Sequence, residues 1–132
     1  MATAAVTEIR NWVGGEERSE SEHGTEAILN PANEEEIARA PKSGESDVDA
    51  AVSAAYEAFE SWGFSTPQER STALLKIADA IEERADEFAR LESLNVGKPL
   101  ELVKSEELPV AADNMRFFAG AARTMQAQSA GE

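Results

Sequence analysis

The spacing of apolar residues changes at Ser46, and this change constrains the fold more than any other feature of the chain. Before Ser46, the apolar residues stand in short runs that Gly and Pro interrupt. From Ser46 onward they recur every three or four residues, which is the period of an amphipathic helix. The sequence therefore predicts a turn-rich arm with a β-hairpin over residues 1–45. Over residues 46–132 it predicts a helical segment of about three to four helices.

The arm contains three short apolar runs. The first two, Ile9–Val13 and Thr25–Leu29, are separated by a polar loop that contains Gly, which predicts a β-hairpin with a long connection. Pro31 cannot donate a hydrogen bond to a ladder, so the second strand should end there. The third run, Ile37–Ala40, predicts a short strand that stops at Pro41.

The first predicted helix begins with Ser46 as its N-cap and stops at Gly63. Asp47 and Asp49 lie in its first turn, where negative charge suits the exposed amides. Its apolar residues fall at helical offsets on one face: Val48, Ala51, Val52, Ala55, Phe59 and Trp62.

The second helix should start with a capping box, in which Thr66 caps, Pro67 takes the first helical position and Glu69 reaches back. The helical pattern continues to Gly97, with a break near residues 84–86. Its apolar stripe consists of Leu74, Ile77, Ala78 and Ile81.

The last helix is predicted to start at Ser105 or Glu106, with Pro109 in its first turn. Its apolar residues are spaced alternately by four and three, which favours a coiled-coil-like seam. They are Ala111, Met115, Phe118, Ala122 and Met125. Much of the chain's 42% hydrophobic content is Ala, so we expect close helix packing and a neighbour that covers the apolar stripes.

Charge excludes several classes of partner. A net charge of −14 argues against binding of nucleic acid or of an anionic membrane. Two interpretations of the acidic surface remain open: ordinary solvation, or adaptation to high salt, which the presence of four Lys against eight Arg favours. No apolar run approaches the roughly 20 residues that span a bilayer.

The sequence offers no recognisable catalytic constellation. The absence of Cys excludes disulfides and thiol catalysis in this chain and fits a cytoplasmic location. His23, the only His, lies in a polar loop and is interpreted as a surface residue. Adjacent carboxylates such as Glu82 and Glu83 do not face each other on a helix. Gly97-Lys98-Pro99 lacks the further Gly of a phosphate-binding loop. We therefore assign no catalytic or cofactor-binding residue.

Several motifs, in order, resemble the N-terminal part of the aldehyde dehydrogenase superfamily. They cover about residues 9–132 and lie at matching spacing. They are Asn11-Trp12-Val13-Gly14-Gly15-Glu16, Ile28-Leu29-Asn30-Pro31-Ala32, Ser46-Asp47-Val48-Asp49-Ala50-Ala51-Val52, Pro67 with Glu69, Arg70 and Leu74-Leu75, Leu91-Glu92-Ser93-Leu94-Asn95-Val96-Gly97-Lys98-Pro99-Leu100, and Phe117-Phe118-Ala119-Gly120-Ala121-Ala122-Arg123.

The resemblance implies a larger α/β parent enzyme with a nucleotide-binding Rossmann-like domain on which residues 46–132 would pack. In this family a Cys thiolate attacks the aldehyde, hydride passes to NAD or NADP, and a Glu-activated water releases the acid. Those groups lie beyond Glu132, so the 132-residue chain is predicted to be inactive and to bind no cofactor. The resemblance also implies a homo-oligomer. The Phe117–Arg123 stretch is most similar to enzymes for γ-aminobutyraldehyde or betaine aldehyde.

One binding feature of the family can be placed on this sequence. Some members hold a monovalent cation with a strand carbonyl and an acid, and the matching positions are Ile28 and Asn95. Because Asn95 carries no charge, two interpretations stay open: a cation site, or a residue that only helps to end a helix.

A non-enzymatic alternative also remains. The chain could be an acidic helical interaction module whose Ala-rich seam docks a partner protein.

Overall fold

The computed structural model describes residues 6–125, which form two compact units. The first unit contains the residues up to Phe64 together with Glu92–Lys98, and the second contains Ser65–Leu91 together with the residues from Pro99 onward. No helix within 6–125 is both long enough and apolar enough to cross a membrane.

All the strands of the described chain lie in the first unit. A three-stranded sheet has the order β1 (Thr7–Glu8), β5 (Glu36–Pro41), β4 (Thr25–Leu29), with β1 parallel and β4 antiparallel to β5. A separate hairpin joins β2 (Asn11–Val13) to β3 (Glu16–Arg18).

The predicted hairpin between Ile9–Val13 and Thr25–Leu29 is wrong. Gly14 and Gly15 both have positive φ, 65° and 86°, and two such residues in succession suit a tight type I′ hairpin turn. The chain therefore reverses at once and pairs β2 with β3, whose exposed charged residues show no apolar alternation. β4 pairs with the third predicted strand, which is confirmed, and β4 ends at Leu29, before Pro31.

Helix α1 (Glu45–Trp62) begins two residues earlier than a Ser46 N-cap predicts, because Gly44 is the N-cap. The side chain of Asp47 reaches back and accepts a hydrogen bond from the Gly44 amide at 3.0 Å. The amide and hydroxyl of Ser46 both donate to Oε2 of Glu22, at 3.0 and 2.8 Å. The prediction of Ser46 as the N-cap is therefore wrong. The carboxylates of Asp47 and Glu22 accept the hydrogen bonds of the Gly44 and Ser46 amides at this helix start. The helix end at Gly63 is confirmed.

Helix α2 (Pro67–Glu83) starts as predicted. The Glu69 amide donates to Oγ1 of Thr66 at 3.2 Å, and the Thr66 amide donates to the Glu69 carboxylate at 2.7 Å. The expected break is confirmed at Arg84, after which α3 (Ala85–Val96) begins.

The last helical stretch starts earlier than predicted. It consists of α4 (Leu100–Leu102), a π-helical turn over Val103–Glu107 and α5 (Leu108–Thr124). Pro109 has no amide hydrogen, and its ring conflicts with the carbonyl four residues before it in a regular α-helix. The π turn widens the helix just before this proline, with the Leu108 amide donating to the Val103 carbonyl. The helix thus continues through the proline, although the predicted start was at Ser105 or Glu106.

The buried side chains of α2 and α5, in the second unit, are small. Ser71 and Ala78 on α2, and Ala112 and Ala119 on α5, are at most 4% exposed, and α2 packs on α5. Residues seven apart lie on the same face of a helix, so each helix offers two small residues to this contact. Small side chains let two helix backbones approach closely, as the Ala-rich composition predicts.

The predicted seam on α5 is displaced from the buried face. Ala112 and Ala119 are buried, whereas Phe118 is 56% exposed and Met125 lies beyond the helix and is 83% exposed. Ala111, Met115 and Ala122 are half-buried at the edge. The prediction followed residue hydrophobicity, but a close contact selects residues by small size.

An ion-pair cluster joins α2 and α5 beside this core. The Arg116 guanidinium donates two hydrogen bonds to the two oxygens of the Glu82 carboxylate, at 2.7 and 2.6 Å. It donates a further hydrogen bond to the Asp79 carboxylate at 3.1 Å. Its hydrogen bonds lower the pKa of Glu82 and raise the pKa of Arg116. All three groups are partly exposed, so solvent screening limits what this cluster contributes to stability.

Candidate functional site

The candidate cation residues lie at the ends of two elements of the first unit. Ile28 is half-buried near the end of β4, opposite Ala38 of β5, which is 7% exposed. The ladder shifts register between Ile28 and Leu29. A bulge of this kind changes the direction of the strand, and with it the direction of nearby backbone carbonyls.

The turn after β4 is held by its own hydrogen bonds. Oδ1 of Asn30 accepts from the Ala32 amide at 2.9 Å, and the Asn30 amide donates to the Glu35 carbonyl at 2.9 Å. Glu34 has a φ of 62°, a left-handed conformation that closes the turn. These contacts fix the backbone directly after Ile28.

The end of α3 lies against this turn. Gly97 has a φ of +75°, and a Cβ atom placed on it would stand 3.0 Å from Cγ of Pro31. Both facts explain why a glycine follows the helix. The structure therefore places the end of α3, with Asn95, and the turn that follows Ile28 in the same corner of the unit; we call this the β4–α3 corner.

The charges near Asn95 are already paired. Asn95 itself is exposed in the last turn of α3. In the same turn, Glu92 pairs with the Lys98 ammonium at 3.3 Å, and Ser93 donates its hydroxyl hydrogen to the Lys98 carbonyl at 2.7 Å. No group of three or more Asp, Glu or His side chains within residues 6–125 could hold a metal ion. The cation site at Ile28 and Asn95 stays a prediction.

A second polar cluster links the turn around residue 22 to the start of α1. Asp47 accepts hydrogen bonds from the amides of Glu22, at 2.9 Å, and Gly44, while Glu22 accepts from Ser46. These bonds lower the pKa values of both carboxyl groups. His23 is exposed, with its Nε2 3.9 Å from Glu22, so its interpretation as a surface residue is confirmed. The cluster works as a structural clamp on α1.

Helix α1 turns its large apolar side chains outward. Val48, Val52, Tyr56 and Phe59 are 55, 62, 71 and 62% exposed, and we call these four residues the α1 apolar face. The helix contacts its own unit through another side, where Ala50 and Ala54 are half-buried. A Cβ atom on Gly14, in the β2–β3 turn, would stand 3.7 Å from the Ala54 Cβ.

The sequence pattern did not include Tyr56 in this face. Tyr56 lies four residues after Val52, and the signal that could have found it is this spacing. Trp62, which the predicted stripe did include, is 53% exposed. The predicted stripe is therefore an apolar face, but the described chain leaves its large residues mainly exposed.

Helix α5 also carries apolar residues on the side away from its buried alanines. Val110, Phe117 and Phe118 are 59, 68 and 56% exposed. The two phenylalanine rings meet edge to face, with centroids 5.3 Å apart and an interplanar angle of 83°. A helix with apolar residues on two sides normally lies between two packed layers.

The model of the aldehyde dehydrogenase family matches residues 18–132. The chain belongs to the aldehyde dehydrogenase family. The resemblance of its ordered motifs is thereby confirmed, as is the aldehyde dehydrogenase-like parent fold, because solved family members share the architecture described above.

Three comparisons give the extent of the likeness. The human 2-aminomuconic semialdehyde dehydrogenase is 45% identical over 67% of this chain and 18% of its own length. The Pseudomonas aeruginosa acetaldehyde dehydrogenase is 37% identical over 91% of this chain and 24% of its own. A Bacillus cereus aldehyde dehydrogenase solved in complex with NAD+ has a TM-score of 0.86 at 37% identity, over 92% of this chain and 25% of that one. The chain thus spans about a quarter or less of these relatives.

The aldehyde dehydrogenase motifs occupy the parts of this chain that set its geometry. Ile28–Ala32 forms the strand end and the fixed turn, and Leu91–Leu100 forms the helix end that lies against it. Ser46–Val52 forms the first turns of α1, including two residues of its apolar face. In this chain, turns, close approaches of the backbone and helix packing explain these motifs.

Proposed function

We propose that this chain is the N-terminal part of an NAD- or NADP-dependent aldehyde dehydrogenase that oxidises an aldehyde to a carboxylic acid. The observation that carries the proposal is the match of the aldehyde dehydrogenase family model over residues 18–132. The structural likeness to an enzyme solved with NAD+ supports a nicotinamide cofactor in the whole protein.

Within such an enzyme, we assign this chain a structural role. It contains no Cys, so the thiolate that attacks the aldehyde must come from another part of the polypeptide. Its helices would pack on the nucleotide-binding domain, and the exposed apolar residues of α1 and α5 support this arrangement. The 132-residue chain should then oxidise no aldehyde and bind no cofactor by itself.

For the substrate, we propose an aldehyde that bears an amino or ammonium group, of the kind represented by γ-aminobutyraldehyde and betaine aldehyde. The name of the human relative, which refers to an amino-substituted semialdehyde, supports an aminoaldehyde in general. We further propose that the whole enzyme is a homo-oligomer and that it is cytoplasmic. The cytoplasmic location is supported by the lack of Cys in this chain, which suits a reducing compartment.

The chemistry of the proposed reaction sets what the rest of the protein must supply. A thiolate adds to the aldehyde carbon, hydride leaves that carbon for the nicotinamide ring, and water releases the acid from the resulting thioester. This chain would stabilise the nucleotide-binding domain, while the reaction takes place in another part of the enzyme.

The test compares the 132-residue chain with the longer protein that the continued reading frame encodes. The continued reading frame should encode a Gly-rich nucleotide motif and then a Cys, and the longer product should reduce NAD+ or NADP+ when an aldehyde is added. The 132-residue chain should show no such absorbance change at 340 nm. Turnover by the short chain, or a longer product without these motifs, would contradict the proposal.

The exposed apolar faces favour a second candidate, which is a non-enzymatic acidic interaction module that docks a partner protein. The coding sequence separates the two candidates, because a module needs neither the Gly-rich motif nor the Cys downstream.

A further inference from the structure

The helical stretch over residues 100–124 contains a turn that is wider than a regular α turn. In the π turn Val103–Glu107, the Leu108 amide donates to the carbonyl of Val103, five residues before it. A regular α-helix uses the carbonyl four residues before, so the π turn holds one more residue than an α turn. Because each residue of an α-helix advances the chain by about 100° around the axis, this extra residue changes which side of α5 faces a given neighbour.

The buried residues of this stretch depend on the extra residue. Val103, Ala112 and Ala119 are each at most 1% exposed and lie in the same unit. In an uninterrupted α-helix, Ala112 would lie about 180° and Ala119 about 160° around the axis from Val103, on the opposite side. With one residue taken up by the π turn, these angles become about 80° and about 60°. All three side chains can then be buried on one side of the stretch.

Without the extra residue, α5 would turn another face to α2. Each place in the contact would be taken by the preceding residue, so Phe118 would stand where Ala119 is now buried. Met115 would replace Arg116, which pairs with Glu82. The ring of Phe118 would overpack a contact of small side chains, and the thioether of Met115 forms no ion pair. Both residues belong to the predicted seam, which is therefore offset from the buried face by one residue.

Pro109 keeps the wider turn in place. Its ring would collide with the carbonyl of Ser105 in a regular α-helix, and it has no amide hydrogen to donate to that carbonyl. A wider turn directly before the proline relieves this conflict, and Val103–Glu107 is such a turn. We infer that Pro109 and this π turn form a register lock, which fixes the face of α5 that meets α2 and keeps Phe118 out of the contact.

Removal of one residue from the turn tests the register lock. After deletion of Glu106, Leu108 stands four residues after Val103, so the same amide and carbonyl close a regular α turn. In a chain that also carries Pro109→Ala, this deletion should lower the melting temperature by less than about 5 °C relative to Pro109→Ala alone. With Pro109 retained, the same deletion should lower the melting temperature of the chain by about 10 °C or more, because the proline ring then lies within a regular helix.

Deletion of Asn114 is the matched control. Asn114 is exposed, as Glu106 is, but it lies in the regular α-helical part of α5. Its deletion from the Pro109→Ala chain should rotate Ala119 out of the contact and lower the melting temperature by about 10 °C or more. Equal losses for the two deletions would overturn the inference. So would an effect of the Glu106 deletion that is the same with and without Pro109.

Single cysteines report the register directly, because the chain contains no other Cys. Phe118 is 56% exposed and Ala119 is 1% exposed, so Phe118→Cys should react with Ellman's reagent at least about tenfold faster than Ala119→Cys. Pro109→Ala with deletion of Glu106 should preserve this order of reactivity. A faster reaction at position 119 than at position 118 in that chain would overturn the register assignment.

The role of Pro109 is tested by substitution alone. Pro109→Ala should raise the reaction rate of the cysteine at position 119 by about tenfold or more, because the regular α register becomes accessible. Pro99→Ala is the control, since Pro99 precedes the helical stretch, and it should change that rate by less than about threefold. An unchanged rate in Pro109→Ala, or an equal rise in both variants, would overturn the register lock.

Discussion

Two helical stripes of this chain have the same apolar periodicity but opposite environments. On α2 and α5, the residues in contact are small: Ser71, Ala78, Ala112 and Ala119 are at most 4% exposed. On α1, the stripe carries Val, Tyr and Phe side chains that are more than half exposed. Periodicity identifies an apolar face, while the size of its residues tells what kind of surface covers it.

The contrast has a physical origin. A small side chain buries little area, so it contributes mainly by letting two backbones approach and make many close contacts. A large side chain buries much area but requires a partner shaped to receive it. The first kind of contact is completed between two helices of this chain, whereas the large side chains of α1 stay more than half exposed.

The largest effect that tests this comparison is overpacking of the small contact. Ala119→Leu adds three carbons where the present side chain is 1% exposed. We expect the free energy of unfolding to fall by about 3 kcal/mol, because the helices must move apart or the side chain must adopt a strained rotamer. Urea unfolding followed by circular dichroism measures the change.

The matched variant on the other stripe is Phe59→Ala. It removes a much larger group, yet we expect a loss of less than about 1 kcal/mol in this chain, because Phe59 is 62% exposed. A loss as large as that of Ala119→Leu would show that the α1 apolar face is already covered, and the comparison would fail.

Gly97 provides a second test, within the first unit. Gly97→Ala places a Cβ atom 3.0 Å from Pro31 on a residue with a φ of +75°. Left-handed backbone and a tight contact together should cost about 1–2 kcal/mol. The same substitution at Gly15, which also has positive φ but no atom within 4 Å, isolates the backbone contribution. Equal losses at both positions would mean that the contact with Pro31 contributes nothing.

Gly120 tests the open side of α5. A Cβ atom there would meet nothing within 4 Å, and the residue lies inside the helix. Gly120→Ala should therefore raise the free energy of unfolding by about 0.5–1 kcal/mol, since Ala has the higher helix propensity. Thermal unfolding measures the gain. A decrease in stability would indicate that this side of α5 is already in contact with another part of the chain.

The sequence predicted the parts of the fold that depend on local chemistry. Thr66 and Glu69 form the expected capping box, and Gly97 ends α3 as its position suggested. The errors arose where distant residues decide. Glu22 satisfies the start of α1 from 24 positions away, and nothing around Ser46 reveals this. The pairing of β2 with β3 depends on charged, exposed residues that carry no apolar pattern.

The functional interpretation was limited for a different reason. The ordered motifs identified the family, but the chain contains no Cys that could serve as a thiol nucleophile. The β4–α3 corner shows the limit most clearly, because the sequence suggested Ile28 and Asn95 without showing whether their oxygens could meet.

The clamp on α1 should make the first unit sensitive to acid. Glu22 and Asp47 have pKa values below their ordinary 4.5 and 3.8, because backbone and hydroxyl groups donate hydrogen bonds to them. A lowered folded pKa gives stability that is present above the ordinary pKa and lost as the pH falls through the folded one. Replacing both residues, as Glu22→Gln with Asp47→Asn, should lower the melting temperature at pH 7 and flatten its decline below pH 4.5. Glu57→Gln, on the same helix, is the control and should leave the slope of that decline unchanged.

The smallest effect concerns the predicted cation site. Asn95 contributes no charge, so exchanging KCl for choline chloride at equal ionic strength should shift the melting temperature of the chain by less than about 1 °C. Asn95→Asp supplies the acid that the predicted site lacks and should make the melting temperature higher in KCl or NaCl than in choline chloride. Asn33→Asp, in the turn after β4, adds the same charge at a position that the site does not use. If both variants respond equally, general screening explains the effect, and Asn95 only helps to end α3. If neither responds, the predicted cation site at Ile28 and Asn95 is not formed in this chain.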